Sequence, residues 1–169
     1  FFMQTYDFEQ ERQAMRAGDF RKQGFMIGNH DLADPGHSPA GRSILHAAVM
    51  ADGNLWRDDE ATYRERKREL EEWLVDRLAQ AIPDLRERIE VIEVGTPHTM
   101  ELYSSNPQGS IYGYASSPSS HSIHRPEARS SVPGLYLAGA WTFPGPGFSG
   151  AMHSGHRTAG LVIEDFEGR

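Results

Sequence analysis

The chain has 169 residues, 38% hydrophobic and 24% charged, with a net charge of −7 at pH 7 and no cysteine. That size suits one domain of ordinary dimensions, and that balance is neither disordered nor membranous. The negative charge disfavours a nucleic-acid partner, no apolar run approaches the ~20 residues of a membrane span, and without cysteine there are no disulfides, thiolate metal sites or cysteine nucleophiles.

The chain opens on Phe1-Phe2, with neither an initiator methionine nor a signal-peptide pattern, and so reads as a fragment or a processed product. Asp7-Phe-Glu-Gln10 predicts a helix start, with Asp7 as N-cap, Gln10 able to reach back, and Gly18 as the stop. Gly24 to Gly28 and Ser43 to Met50 are strand candidates. The Pro-, Gly- and Asp-rich stretch from His30 to Arg42 between them reads as an ordered loop. From about Asp59 to Ala81 the pattern is helical, with Tyr63, Leu70, Leu74, Leu78 and Ala81 on one face and charge on the other. Pro83 ends it. Ile89 to Val94 alternates like a strand, Thr96 to Ser105 predicts a short helix, and Asn106 to Gly109 is a turn signature.

The main shift in composition follows "SSPSSHSIHRPEARSS". Between Val132 and Ile163 Arg157 alone is charged, and seven glycines fall from Gly134 to Gly160. A stretch so free of charge is expected to be buried or covered by something large. Leu135 to Ala138 reads as a buried strand, and Gly139-Ala140 ends it with little or no side chain, as ligand approach to a backbone requires. Pro144 to Gly147 is a rigid, side-chain-poor loop. Ser149 to about Asp165 reads as a helix with Ser149 as N-cap and with Ala151, Gly155 and Ala159 forming a flat face for close packing. The free amides of such a helix start, at the positive end of its dipole, suit an anion or partial negative charge.

"GPGFSG", Gly145 to Gly150, has the G-x-G-x-x-G spacing of dinucleotide-binding folds. That fingerprint needs a strand running straight into it and a second strand after the helix. Here Gly139 to Pro144 separates it from the nearest strand, and nothing after Leu161-Val-Ile163 supplies the second. It is not an ordinary fingerprint.

Taken whole, "VPGLYLAGAWTFPGPGFSGAMHSGHRTAG" closely resembles the carboxyl-terminal signature of FAD-dependent oxidoreductases of the phytoene desaturase, carotenoid isomerase and retinol saturase group, within the amine-oxidase-like flavoproteins. "DPGHSPAGRS", "GTPHTMELYSSNPQGSIYGY" and "HRPEARSSVPGLYLAGA" fit the same group in the same order, so the resemblance covers nearly the whole chain. It implies that the true fingerprint lies near the amino terminus of a much longer chain and that "GPGFSG" is a second flavin contact. It also implies roles for single residues. Gly139 and Ala140, with Trp141 next to them, would lie beside the ribityl–pyrophosphate of FAD. Gly147, Phe148, Ser149, Gly150 and Ala151 would lie against the isoalloxazine, with helix-end amides stabilising negative charge at its N1/O2 edge. Many relatives carry an acidic residue where this chain has Ala140, which weakens that contact.

Other chemistries compete with this reading. His121/His124 and His153/His156 are each spaced for a shared metal, but no glutamate accompanies either pair. A serine hydrolase needs G-x-S-x-G straight after a strand, whereas Ala151 replaces the last glycine and a long loop precedes Ser149. A non-catalytic interaction module, a substrate-domain piece that binds no cofactor, is the more serious rival. The expected fold class is α/β (α+β): a mixed sheet with flanking helices, an incomplete carboxyl-terminal piece of a two-domain FAD/NAD(P)-binding flavoprotein lacking its Rossmann half. Residues 1–130 would belong to the substrate-binding domain and 131–169 to the closing strand and helix of the FAD domain. The parent is expected to act on C–C bonds of an apolar polyene or isoprenoid substrate, in the cytoplasm with peripheral membrane contact. The fragment alone is expected to be inactive, with FAD bound by the full-length protein; no metal and no catalytic acid or base are assigned.

Overall fold

Asp7 opens the first helix in a computed structural model of the chain, which describes residues 5–115 and 117–168. Phe1 to Gln4, Ser116 and Arg169 lie outside the described residues, the Phe1-Phe2 start among them. The carboxylate of Asp7 accepts the amides of Glu9 (3.0 Å) and Gln10 (3.1 Å), so α1 runs Phe8–Ala17. Gly18 ends it in the left-handed region at φ 71°, returning its amide to Ala14 and Met15. Gln10 does not reach back. The amide of Asp7 is taken instead by the hydroxyl of Thr5 at 3.0 Å.

The two strands are shorter than their apolar runs. β1 (Met26–Asn29) pairs antiparallel with β2 (Leu45–Ala48), Met26 opposite Ala48 and Asn29 opposite Leu45. The ordered loop between them is held by one carboxylate. Asp31 accepts the amides of Ser38 and Ile44, each at 2.9 Å, and the hydroxyls of Ser38 (2.9 Å) and Ser43 (3.2 Å). These bonds, led by that from Ile44, hold the Asp31 carboxyl below the ordinary aspartate value. On the strands, a Cβ at Gly28 would stand 2.0 Å from the imidazole of His46, which stacks on His30 at 4.9 Å. Glycine there is the seat of a histidine, not a turn.

Asp59 caps α2 (Glu60–Ala81) through the amides of Ala61 and Thr62. Its buried positions are Leu70, Val75 and Leu78, with Tyr63, Trp73 and Leu74 half-buried beside them. Ala81, expected on the apolar face, is exposed. The chain leaves the helix at Ile82-Pro83, and Ile82 takes the place against the core. Two apolar clusters form on this helix: Phe20, Trp56 and Leu70 in one, Phe25, Leu78 and Leu85 in the other. Trp73 joins them, its indole 5.4 Å from the ring of Phe20 and 5.5 Å from that of Phe25. α3 is one short turn, Leu85–Arg88. Ile89 to Val94 then forms no strand: among the described residues no segment pairs with it in a ladder, and Val91 is 80% exposed. α4 spans Pro97–Ser104, inside the expected range.

The chain divides into two compact units, Phe1–Thr99 and Met100–Arg169. In the second, an isolated antiparallel bridge joins Arg129 to Tyr136, and Leu137 donates to Ala128 at 2.8 Å. The expected strand at Leu135 to Ala138 is reduced to that contact. A strand needs a neighbour along its length, and this one has only the few residues before its own turn. α5 (Gly147–Glu167) follows and closes the unit. Helices and a small sheet are therefore both present. The sheet among the described residues is a two-stranded antiparallel ribbon rather than a mixed one.

Asp31→Asn keeps the shape and removes the charge that four donors converge on. The folded Asp31 value is depressed, so its contribution is present above the ordinary aspartate range and lost as pH falls through the folded value. We expect Asp31→Asn to lower the thermal midpoint at neutral pH. The deficit should close on acidification, as the wild-type carboxyl also protonates. Parallel melting curves from neutral to acid pH test this.

Candidate functional site

The uncharged tail folds back on itself through backbone that glycine alone adopts freely. Gly139, Gly145 and Gly147 have φ of 106°, 125° and 83°. A Cβ at Gly139 or Gly147 would meet nothing within 4 Å, so these two carry no side chain for conformational reasons and leave open space beside the main chain. Gly150 is different. A Cβ there would stand 2.5 Å from the carbonyl oxygen of Gly145, so its bareness lets the first turn of α5 pack on its own loop.

The expected N-cap at Ser149 is corrected by three positions. Pro146, extended at φ −81° and ψ 179°, precedes the helix, and no side chain caps it. Ser149 sits exposed in the first turn, already helical, because the turn that admits the chain is completed by Gly145-Pro146-Gly147. α5 thus starts with bare amides at Phe148, Ser149 and Gly150, the positive end of a 21-residue helix. Phe148 is 94% exposed beside them and Met152 74%.

The packing face of α5 is also not the small-residue face. Ala159 is exposed, and a Cβ at Gly155 would meet nothing within 4 Å. The buried positions are Ser154 and Thr158. Ser154, 1% exposed, accepts the amide of Gly139 at 3.0 Å and shares a 2.6 Å bond with Thr142, which donates to the carbonyl of Gly139 at 2.9 Å. Thr158 donates to Leu137 at 3.0 Å and to the Ser154 carbonyl at 2.8 Å. Hydroxyls thus do the work expected of bare glycine and alanine: the main chain at residues 137–142 needs partners for its amides and carbonyls, and small apolar side chains offer none. The visible signal was Thr142, Ser154 and Thr158 in an otherwise uncharged stretch, the last two on one helical face.

Ala140 and Trp141 are half-buried in the turn after Gly139. The Trp141 indole donates to the Asn106 side chain at 3.0 Å and meets Tyr114 edge-on at 4.9 Å. Ala151 is half-buried in the first turns of α5. The loop's remaining support is Arg125, 5% exposed, which donates to the carbonyls of Ala140 (2.6 Å) and Tyr114 (2.9 Å). Sequence reasoning missed it, since a buried arginine has no periodicity to betray it. Farther along, Arg129 pairs with Asp165 at 2.9 Å, fastening the tail's bridge to the far end of α5.

His121, His124, His153 and His156 are all exposed, and among the described residues no three His, Asp or Glu side chains stand together to hold a metal. No helix among them is long and apolar enough to cross a membrane.

The sequence profile of the family described as flavin containing amine oxidoreductase matches residues 8–163. The chain is similar to a hydroxyneurosporene desaturase of Cereibacter sphaeroides, 42% identical over 62 residues, 37% of this chain and 12% of that protein. An all-trans-retinol 13,14-reductase of Danio rerio is 30% identical over 149 residues, covering 79% and 23%. Prolycopene isomerase 1, chloroplastic, of an Oncidium hybrid cultivar is 28% identical over 140 residues, covering 79% and 24%. The chain spans about a quarter or less of the length of these relatives.

Ser154→Ala would orphan the Gly139 amide and leave the Thr142 hydroxyl with the Gly139 carbonyl alone, in a buried place, a loss of about 1–3 kcal/mol. Ser149→Ala, at an exposed position that caps nothing, should stay within about 0.5 kcal/mol of wild type. Denaturant midpoints of the two variants check both statements.

Proposed function

From the chain's membership of the flavin-containing amine oxidoreductase family, which the match over residues 8–163 shows, we propose that it is the carboxyl-terminal part of an FAD-dependent oxidoreductase. The substrate class is an apolar polyene or isoprenoid, changed at its C–C bonds by desaturation, saturation or isomerisation. Relatives named as a desaturase, an isomerase and a retinol reductase support that class. Residues 1–130 contribute to the substrate-binding domain, and 131–169 form the closing strand and helix of the flavin domain. Such a substrate partitions into lipid, so the proposal includes peripheral membrane contact.

The single observation that carries the cofactor part is the open, uncapped start of α5 behind a loop of positive-φ glycines. A flavin needs flat access to backbone, donors at the edge where charge develops, and no charged side chain in its way. The main chain at Gly139 and Gly147 gives access, the amides of Phe148 to Gly150 give donors, and Phe148 and Met152 give apolar cover. The residues present therefore fit the group. Bound there, FAD would supply the hydride chemistry. The chain's own part is to bring helix-end amides to the flavin edge and to keep the loop open to it. Gly139, Ala140 and Trp141 belong to the pyrophosphate side of the cofactor, and Gly147 to Ala151 to its ring side.

Gly150→Glu is a poor probe, because any side chain at Gly150 collides with the Gly145 carbonyl whether or not a flavin is near. Phe148→Glu avoids this, since the residue is exposed and unencumbered. In the full-length protein we expect Phe148→Glu to fold yet lose bound FAD, while Glu72→Ala on the exposed side of α2 keeps it. The ratio of flavin to protein absorbance after gel filtration decides. Full flavin content in Phe148→Glu would remove the loop from the flavin site. No flavin in the wild type would favour the non-catalytic interaction module.

A further inference from the structure

Arg125 is a fully charged group in a place where charge is expensive. Its side chain is 5% exposed, and a guanidinium does not deprotonate in proteins. Two of its nitrogens are satisfied by main-chain carbonyls, Nη1 by Ala140 at 2.6 Å and Nη2 by Tyr114 at 2.9 Å. Nε is buried with no acceptor, and no carboxylate pairs with the group among the described residues. Glu127, two positions on, is engaged by Arg157 at 2.8 Å.

The surroundings are shaped to this side chain. A Cβ at Gly113 would stand 3.0 Å from Nη1, and one at Gly145 would stand 3.3 Å from Nε. Arg125 thus lies directly behind the loop whose carbonyl at Gly145 touches the first turn of α5. Carbonyl dipoles engage two of its nitrogens but do not neutralise its charge. A buried cation beside the positive end of a helix is two like fields at one place, an arrangement that becomes favourable when an anionic group sits in front of them.

We propose that Arg125 is a positioning residue of the flavin site, holding the loop by the Ala140 carbonyl and lending it a buried positive charge that favours the reduced flavin. This rests on the flavin reading above. The forked grip and the charge are separable. Lysine keeps the charge but cannot hold two carbonyls in a plane, and glutamine loses the charge.

The test uses the full-length protein with wild type, R125K and R125Q, each checked for folding by circular dichroism. Two quantities are read: FAD affinity by titration, and the ratio of reduced to oxidised flavin at a fixed reference-dye potential, in FAD-saturated protein. We expect R125Q to bind FAD at least tenfold more weakly and to show a reduced-to-oxidised ratio about tenfold lower. R125K should bind equally weakly but hold a ratio within about twofold of wild type. A merely structural arginine would move affinity in both variants and leave the ratio alone, and that result overturns the proposal, as does wild-type behaviour in both. If R125Q cannot be loaded, R125K decides: a ratio far from wild type overturns it. A wild type that binds no FAD overturns the flavin reading itself, and this inference with it.

Discussion

The second unit depends on the hydrogen bond from the Gly139 amide to the Ser154 hydroxyl. At 3.0 Å it fastens the end of an extended segment to the middle of α5, and the same hydroxyl reaches Thr142 at 2.6 Å. The segment between these points, from Ala140 to Pro146, is thereby a loop with both ends fixed. Such a loop can hold bare glycines without collapsing, because its entropy was removed at the anchors and not along its length. Glycine costs more order on folding than any other residue, and three positive-φ glycines in nine positions would make a free segment unstable. The anchors make that backbone persist.

The first unit uses a different economy. It buries ordinary side chains around Trp73 and spreads its charge over α2 in local pairs, such as Arg68 with Glu65 and Arg64 with Glu60. Exposed pairs of this kind add little to stability and serve mainly to keep the helix in water. The loop between β1 and β2 is instead gathered by Asp31, one acceptor for four donors. Apolar burial sets the scaffold of the first unit, whereas buried hydroxyls hold α5 in the second, and single polar residues set the loops in both. Asp31 and Ser154 play the same part with opposite chemistry: the carboxylate can sit near water, whereas the neutral hydroxyl can be buried without a counter-charge.

That distinction sharpens the meaning of Arg125. Buried hydroxyls in this tail are satisfied by one another and by main chain, and the exposed Arg129 and Arg157 are paired with carboxylates along the surface. Arg125 follows neither habit. It is buried, charged and half-answered, next to the loop where the main chain is most open. Local rules broken in one place, with consistency elsewhere, are the usual mark of a site under functional demand.

Much of this was legible in the residues. Capping at Asp7, the stop at Gly18 and the α2 periodicity are decided within a few neighbours, so the sequence alone determined them. The tail's family and its glycine loop were likewise readable, because no charge interrupts them and few structures need that spacing. Tertiary contact decided the rest. Whether Leu135 to Ala138 and Ile89 to Val94 become strands depends on a neighbour to pair with, which no property of the segments supplies. The N-cap of α5 lies at Pro146 and not at Ser149 because the turn geometry of three glycine and proline residues outweighed a capping preference. Gly28 and Gly150 are explained by what lies against them, a histidine ring and a carbonyl oxygen. Arg125, invisible in any periodic pattern, acquires its meaning only where Tyr114, Ala140 and Gly145 are brought together, since burial and hydrogen bonding are properties of position in space and not of order along the chain.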